Sequence, residues 1–198
     1  MPFTAVNGKE ICYYFIMWKP ENNSMKILRL YIKLIDSLNE YIGIFVSWLT
    51  TLMVLVVFYD TVMRYAFKKG NVAIQELEWH IFAVVFLIGA AYALKNGAHV
   101  RVDIIYTRLG ARTKAWIDFL GSIFFLIPFS IIVIYSTQDF IANSWEVREL
   151  SPDPGGLPAR YALKAMIPAG FILLILQATS EMFKNFLVAI GIDEGGAE

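Results

Sequence analysis

The sequence predicts an all-α membrane protein with four transmembrane helices, an N-terminal in-plane amphipathic helix and a cytoplasmic interfacial helix. Three observations predict it. The 198 residues are 58% apolar and only 17% charged, against roughly 45–50% and about 25% in soluble domains. Four long stretches carry no formal charge: 41–59, 79–94, 119–138 and 165–180. The first and third, at 19 and 20 residues, match the ~20 needed to cross a bilayer. The other two, at 16 residues each, have flanks that extend them, with Lys95 and Lys164 placed to snorkel.

Residues 1–24 are irregular and end in Lys19-Pro20-Glu21-Asn22-Asn23-Ser24. They are expected to be a weakly ordered extension, with Met25 as the natural start. From 25 to 41, Arg29, Lys33, Asp36 and Glu40 recur at steps of four, three and four. Ile27, Tyr31, Leu34 and Leu38 keep the same rhythm on the other side. That is an amphipathic helix, expected to lie in the membrane interface rather than simply to extend the first span. The first span, expected at about 42–64, begins too far along the chain and is too long to be a cleaved signal core.

The second span is expected at about 76–96. After it, Val102, Ile105, Leu109 and Trp116 alternate with Arg101, Arg108 and Arg112, which predicts the interfacial helix over 101–116. The third span follows at about 117–140, with Pro128 inside it to kink the helix. Residues 143–160 form a long outer loop. Its segment Ser151-Pro152-Asp153-Pro154-Gly155-Gly156-Leu157-Pro158 cannot be helical. The fourth span is expected at about 162–187, completing a transmembrane domain over 42–190, and 191–198 is a tail.

Basic residues set the orientation. The side holding both termini carries Lys26, Arg29, Lys33, Lys95, Arg101, Arg108, Arg112, Lys114 and Lys184, against Arg64, Lys68, Lys69, Arg148, Arg160 and Lys164 opposite. The excess places both ends in the cytoplasm, as expected of a protein of a bacterial inner membrane.

The charge count is 17 basic against 17 acidic residues, which offers nothing to nucleic acid. One cysteine, Cys12, excludes an internal disulfide. His80 and His99 are 19 positions apart, about 28 Å along a helix, so they cannot share one metal. No catalytic motif, metal set or cofactor motif stands out. None of the charge-free stretches holds an ionisable group of the kind an ion pathway needs at mid-depth. Ser47, Thr50, Thr51, Ser122, Ser130, Gln177 and Thr179 fit helix packing, with Gln177 the one that invites a functional reading. The chain alone is expected to be neither an enzyme nor a self-sufficient pump. It looks instead like a subunit that packs on something else. An autonomous small exporter would need a mid-membrane carboxylate, and a membrane anchor of a redox enzyme would need paired ligand histidines.

The middle of the chain adds a specific pattern. Arg64-Tyr65-Ala66-Phe67 closes the first span. Gln75-Glu76-Leu77-Glu78-Trp79-His80 opens the second, which runs through Gly89-Ala90-Ala91-Tyr92 into Gly97-Ala98-His99-Val100-Arg101-Val102-Asp103. Over about 26–187 this order resembles the small, Q-type membrane subunit of tripartite ATP-independent periplasmic (TRAP) transporters. Asp153 to Pro158 and Lys164 to Pro168 resemble the branch labelled for mannitol or chloroaromatic compounds. The resemblance implies three partners: a large membrane subunit carrying the transport site, a periplasmic solute-binding protein and membrane lipid. It implies a bracing role during uptake of an organic acid or related solute, driven by a sodium or proton gradient. On that reading Arg64, Glu76, Gly89, His99, Arg101 and Asp103 are structural or interface candidates. Asp103 would cap the interfacial helix, Arg101 would meet lipid phosphate or a partner carboxylate, and His99 would bond across the bend. Glu146, Arg148, Glu149 and Asp153 are candidates for docking the binding protein.

Overall fold

The computed structural model describes residues 23–97 and 109–191. His99, Arg101 and Asp103 lie outside them, as do residues 1–22, 98–108 and 192–198. The described residues form four helical rods, each long and apolar enough to cross a membrane. The chain is thus a multi-pass membrane protein.

The first rod is α1, Asn23–Ala66, a single helix of 44 residues. The amphipathic stretch is therefore not a separate element: it runs into the first span without a break. The physical reason lies in the sequence between them. No proline interrupts it, and its glycine, Gly43, is tolerated in the helix where it makes room for the Tyr92 ring. The stretch is also turned differently from the expectation. Asp36 and Asn39 are buried, whereas Ile27, Leu30 and Leu34 are exposed. Asp36 and Asn39 find partners on another helix, and of the apolar residues Ile32 is buried with them while Ile27, Leu30 and Leu34 face outward.

The second rod is α2, Val72–Lys95. It starts earlier than expected because Asn71, in extended conformation, accepts the Ala73 N–H on its side chain at 2.9 Å, an N-cap that satisfies an otherwise orphaned donor. It stops at Gly97, whose φ of 64° suits glycine.

The third rod is assembled from pieces: α3, Ala111–Gly121; a π-helical turn, Ser122–Leu126; α4, Ile127–Ser136; and α5, Gln138–Glu146. Of the interfacial helix expected over 101–116, the part from Ala111 onward belongs to this rod. Pro128 explains the π turn. It lacks an N–H and crowds the carbonyl four residues back, and the widened turn just before it, closed by Ile127 N–H to Ser122 O, relieves that crowding. Ser122 and Ser130 donate to the Asp118 and Leu126 carbonyls at 2.8 and 2.7 Å, and Thr137 donates to Val133 O at 2.9 Å where α4 meets α5.

The fourth rod is α6, Arg160–Ala189. It is the hub. It packs along α2, α1 and each piece of the third rod, while α1 and α2 also pack on each other. Gly170 permits the closest approach: a Cβ there would stand 2.6 Å from the Leu87 carbonyl oxygen of α2. Gly89 plays a milder version of the same part, with Val46 of α1 3.3 Å from its missing Cβ. Little of the first and third rods is covered. Trp48, Leu52, Leu55, Phe124, Phe125, Ile132 and Tyr135 are all exposed, as suits surfaces that meet lipid or another apolar surface rather than water.

Candidate functional sites at the two ends of the bundle

Polar residues gather at the two ends of the helix array. The start of α1 and the end of α6 lie together at one, the terminal end. The loop 147–159 lies at the other, the loop end.

At the loop end, Glu76 of α2 is buried one turn into its helix. Its carboxylate accepts the Ser151 hydroxyl, the Leu157 backbone N–H at 2.5 Å, and the Arg160 guanidinium at 3.3 Å. One side chain thereby fixes both arms of the proline-rich segment and the first residue of α6. The arrangement needs Gly156, because a Cβ there would fall 2.6 Å from Glu76 Oε2 and collide with Ser151. Arg160 also stands over the Trp79 ring, 5.5 Å from its centroid, an additional cation–π contact. A second carboxylate, Glu149, accepts from the Lys164 ammonium and from the Ser144 hydroxyl. Lys164, and then Ser144, hold its carboxyl below the usual value of 4.5, because each stabilises the ionised form. Lys164 does not snorkel freely: besides Glu149 it covers the Phe140 ring at 3.9 Å.

The docking candidates therefore separate. Glu146, Arg148 and Asp153 are exposed, whereas Glu149 is tied to α6. Of the interface candidates, Glu76 is the anchor of the loop and Gly89 is a packing position. Arg64 pairs with Asp60 one turn earlier on α1 and keeps 47% of its side chain exposed while Asp60 is buried. The structure does not bring Arg64, Glu76 and Gly89 into one site.

At the terminal end, sequence reading assigned Asp36 to the membrane interface. The structure turns it inward. Gln177 of α6 donates to Asp36 Oδ1 and Glu181 Oε1, both at 3.0 Å, and accepts from Asn39 Nδ2 at 2.8 Å. Ser180 donates to Asp36 Oδ1 at 3.0 Å. Lys184 completes the set, 2.7 Å from Asp36 and 2.8 Å from Glu181. Nearby the Tyr31 and Thr179 hydroxyls meet at 2.7 Å, and Lys95 of α2 reaches Glu40 of α1 at 2.5 Å. Gln177, Asn39 and Ser180 are fully buried. This is a zip of polar side chains between α1 and α6, in which buried donors and acceptors meet across the two helices, although Asn39 Oδ1 is buried without a hydrogen-bond partner among the described residues. It is an interhelical clamp, with both carboxylates faced by the same lysine. One sequence signal pointed to it: Gln177, an amide in an otherwise apolar span.

Comparison with known proteins agrees with this architecture. Residues 53–187 match the family model described as "Tripartite ATP-independent periplasmic transporters, DctQ component". The chain is also similar to a Haemophilus influenzae protein whose name assigns it as a TRAP transporter small permease. The two are 26% identical over 152 residues, covering 75% of this chain and 92% of that protein. The match takes in the end of α1, all of α2, the third rod and nearly all of α6, so it covers the loop end and the α6 side of the terminal clamp, whereas Asp36 and Asn39 of α1 lie before it. The chain belongs to the DctQ family, the small membrane component of TRAP transporters.

Proposed function

We propose that this small TRAP subunit braces the large membrane subunit of its transporter. The single observation that carries the reading is the contrast between a tied interior and an open exterior. Buried polar contacts hold α6 to its neighbours at both ends, while the outward faces of the first and third rods stay apolar and uncovered. A body of this kind suits packing against a second membrane protein. The large subunit would carry the solute and couple its uptake to an ion gradient, with an organic acid or related solute delivered by a periplasmic binding protein. Both termini would lie in the cytoplasm and the loop 147–159 in the periplasm, in a bacterial inner membrane. There the exposed carboxylates Glu146 and Asp153 would guide the binding protein's encounter, since rim charges act on rate and register more than on affinity.

Reconstitution tests the reading. Vesicles holding this chain alone should show no gradient-driven uptake, and vesicles holding both membrane subunits plus the binding protein should. Robust uptake by the chain alone would overturn the bracing role. Reporter fusions after Glu198 and at Gly156 should report opposite sides of the membrane, with the first inside.

A further inference from the structure

The end of α5 carries a feature that neither the clamp nor the bracing role uses. The helix closes with Val147 N–H to Asn143 O at 3.2 Å, Arg148 N–H to Trp145 O at 3.1 Å and Glu149 N–H to Ser144 O at 3.0 Å. This is a Schellman ending, in which the residue after the cap turns left-handed and is usually glycine. Here that residue is Arg148, with φ 45°. A side chain at this position costs free energy that glycine would not. The rest of the ending would form without the guanidinium, so an outlier of this kind points to a use for the side chain.

The surroundings indicate the use. Arg148 lines a shallow cleft of about 310 Å³ with Trp145 and Tyr161. The two rings meet edge to face, with centroids 4.7 Å apart and planes at 79°, which fixes both. Arg148 makes no ion pair among the described residues, whereas its neighbour Glu149 is already neutralised by Lys164. Val147 and Leu150 beside it are exposed, so apolar surface flanks the cation. The cleft lies where two membrane-spanning rods end, between the close of α5 and the first turn of α6. Tryptophan and tyrosine concentrate at that depth because the ring is apolar and its N–H or O–H needs a polar partner. A guanidinium presents a fork of donors that fits phosphate oxygens.

We propose that Trp145, Arg148 and Tyr161 form a binding site for the phosphate of a phospholipid headgroup in the leaflet at the loop end. Arg148 supplies the charge, the indole and phenol flank it as donors, and Val147 and Leu150 lie against the lipid's apolar part. The site would seat one lipid at the foot of the loop. A carboxylate of the binding protein is the competing occupant, but the flanking apolar residues and the membrane-boundary aromatics favour lipid.

The test uses the full chain in detergent, where lipid binding does not depend on the large subunit, so its failure is separable from failure of the bracing role. Native mass spectrometry would follow retention of added phosphatidylglycerol by the wild type, Arg148→Gln and Arg148→Gly. Both variants should retain the lipid about tenfold less well, the loss expected from removing a charge-assisted hydrogen bond. Arg148→Gly relieves the left-handed strain, so it should melt no lower than the wild type by circular dichroism while still losing lipid. Millimolar inorganic phosphate should not displace the lipid, because it lacks the apolar half of the ligand; complete displacement would overturn the assignment to a lipid. Equal retention in wild type and Arg148→Gln would also overturn it. So would unchanged lipid retention together with impaired uptake from the binding protein, which would give the cleft to that protein.

Discussion

The two ends of the bundle solve the same problem by different means. At the loop end, one carboxylate on a helix, Glu76, holds backbone and side-chain donors from a segment that cannot form helix. At the terminal end, several side chains from two helices, Asp36, Asn39, Gln177, Ser180 and Lys184, hold one another. The loop end is thus an anchor centred on one carboxylate, with the Glu149–Lys164 pair as a second tie between the loop and α6. The terminal end is a distributed clamp, centred on a glutamine with three partners. The difference teaches that a polar group buried in a membrane protein can fix either the path of a loop or the packing of two helices. Its partners decide which.

The largest effect that would break this comparison is expected from Glu76→Ala. It strands the Leu157 N–H, the Ser151 hydroxyl and the Arg160 guanidinium together. The loop 151–158 should become cleavable by protease within minutes, and the melting temperature should fall further than for any other single substitution at either end. A loop as resistant as in the wild type would mean that Glu76 is not the anchor. Gln177→Leu should come next. It removes the centre of the terminal clamp and should cost about 2 kcal/mol, without exposing the loop to cleavage. Cleavage in both variants would show that the ends are not separable.

A double-mutant cycle sharpens the terminal side. Asn39→Leu and Gln177→Leu should couple by about 0.6–1.7 kcal/mol, the range for hydrogen bonds between membrane helices. Additive effects would remove the Asn39–Gln177 bond from the account. At the loop end, acid should act selectively. The Glu149 carboxyl titrates below its ordinary value in the folded state, so its contribution is complete above 4.5 and is lost as pH falls through the lower folded value. Trp145 fluorescence, in a variant with the other tryptophans replaced, should stay constant down to about pH 5 and change below the ordinary carboxylate range. Glu149→Gln should flatten that change. The smallest effect belongs to Ser47→Ala on α1, where the hydroxyl only back-bonds to Gly43 O at 2.9 Å and the loss should stay within about 0.5 kcal/mol.

The four rods were legible because charge-free length is a strong signal and bilayer thickness fixes what it means. The anchor was half legible. The proline and glycine run announced a defined loop, and Glu76 stood out at the start of the second span. Nothing in the spacing of residues 75 apart could say that they touch. The terminal clamp was misread because the repeat of Arg29, Lys33, Asp36 and Glu40 looks the same whether its polar face meets headgroups or another helix. Periodicity gives the angular position of a side chain on its helix and leaves open what stands opposite. Asn39, which lies between Asp36 and Glu40, was not singled out, yet it is fully buried against Gln177. The π turn was foreshadowed by Pro128 as a kink, without its form.

The hub position of α6 has a consequence for biosynthesis. Chains leave the ribosome from the N-terminus, so α1 and α2 can pair as soon as both are in the bilayer. The third rod has its packing partner in α6, which is synthesised after it. Until the last thirty residues of helix arrive, that rod must wait in lipid or against the insertion machinery. Neither the anchor nor the clamp can be completed before then, because each takes at least one of its members from α6.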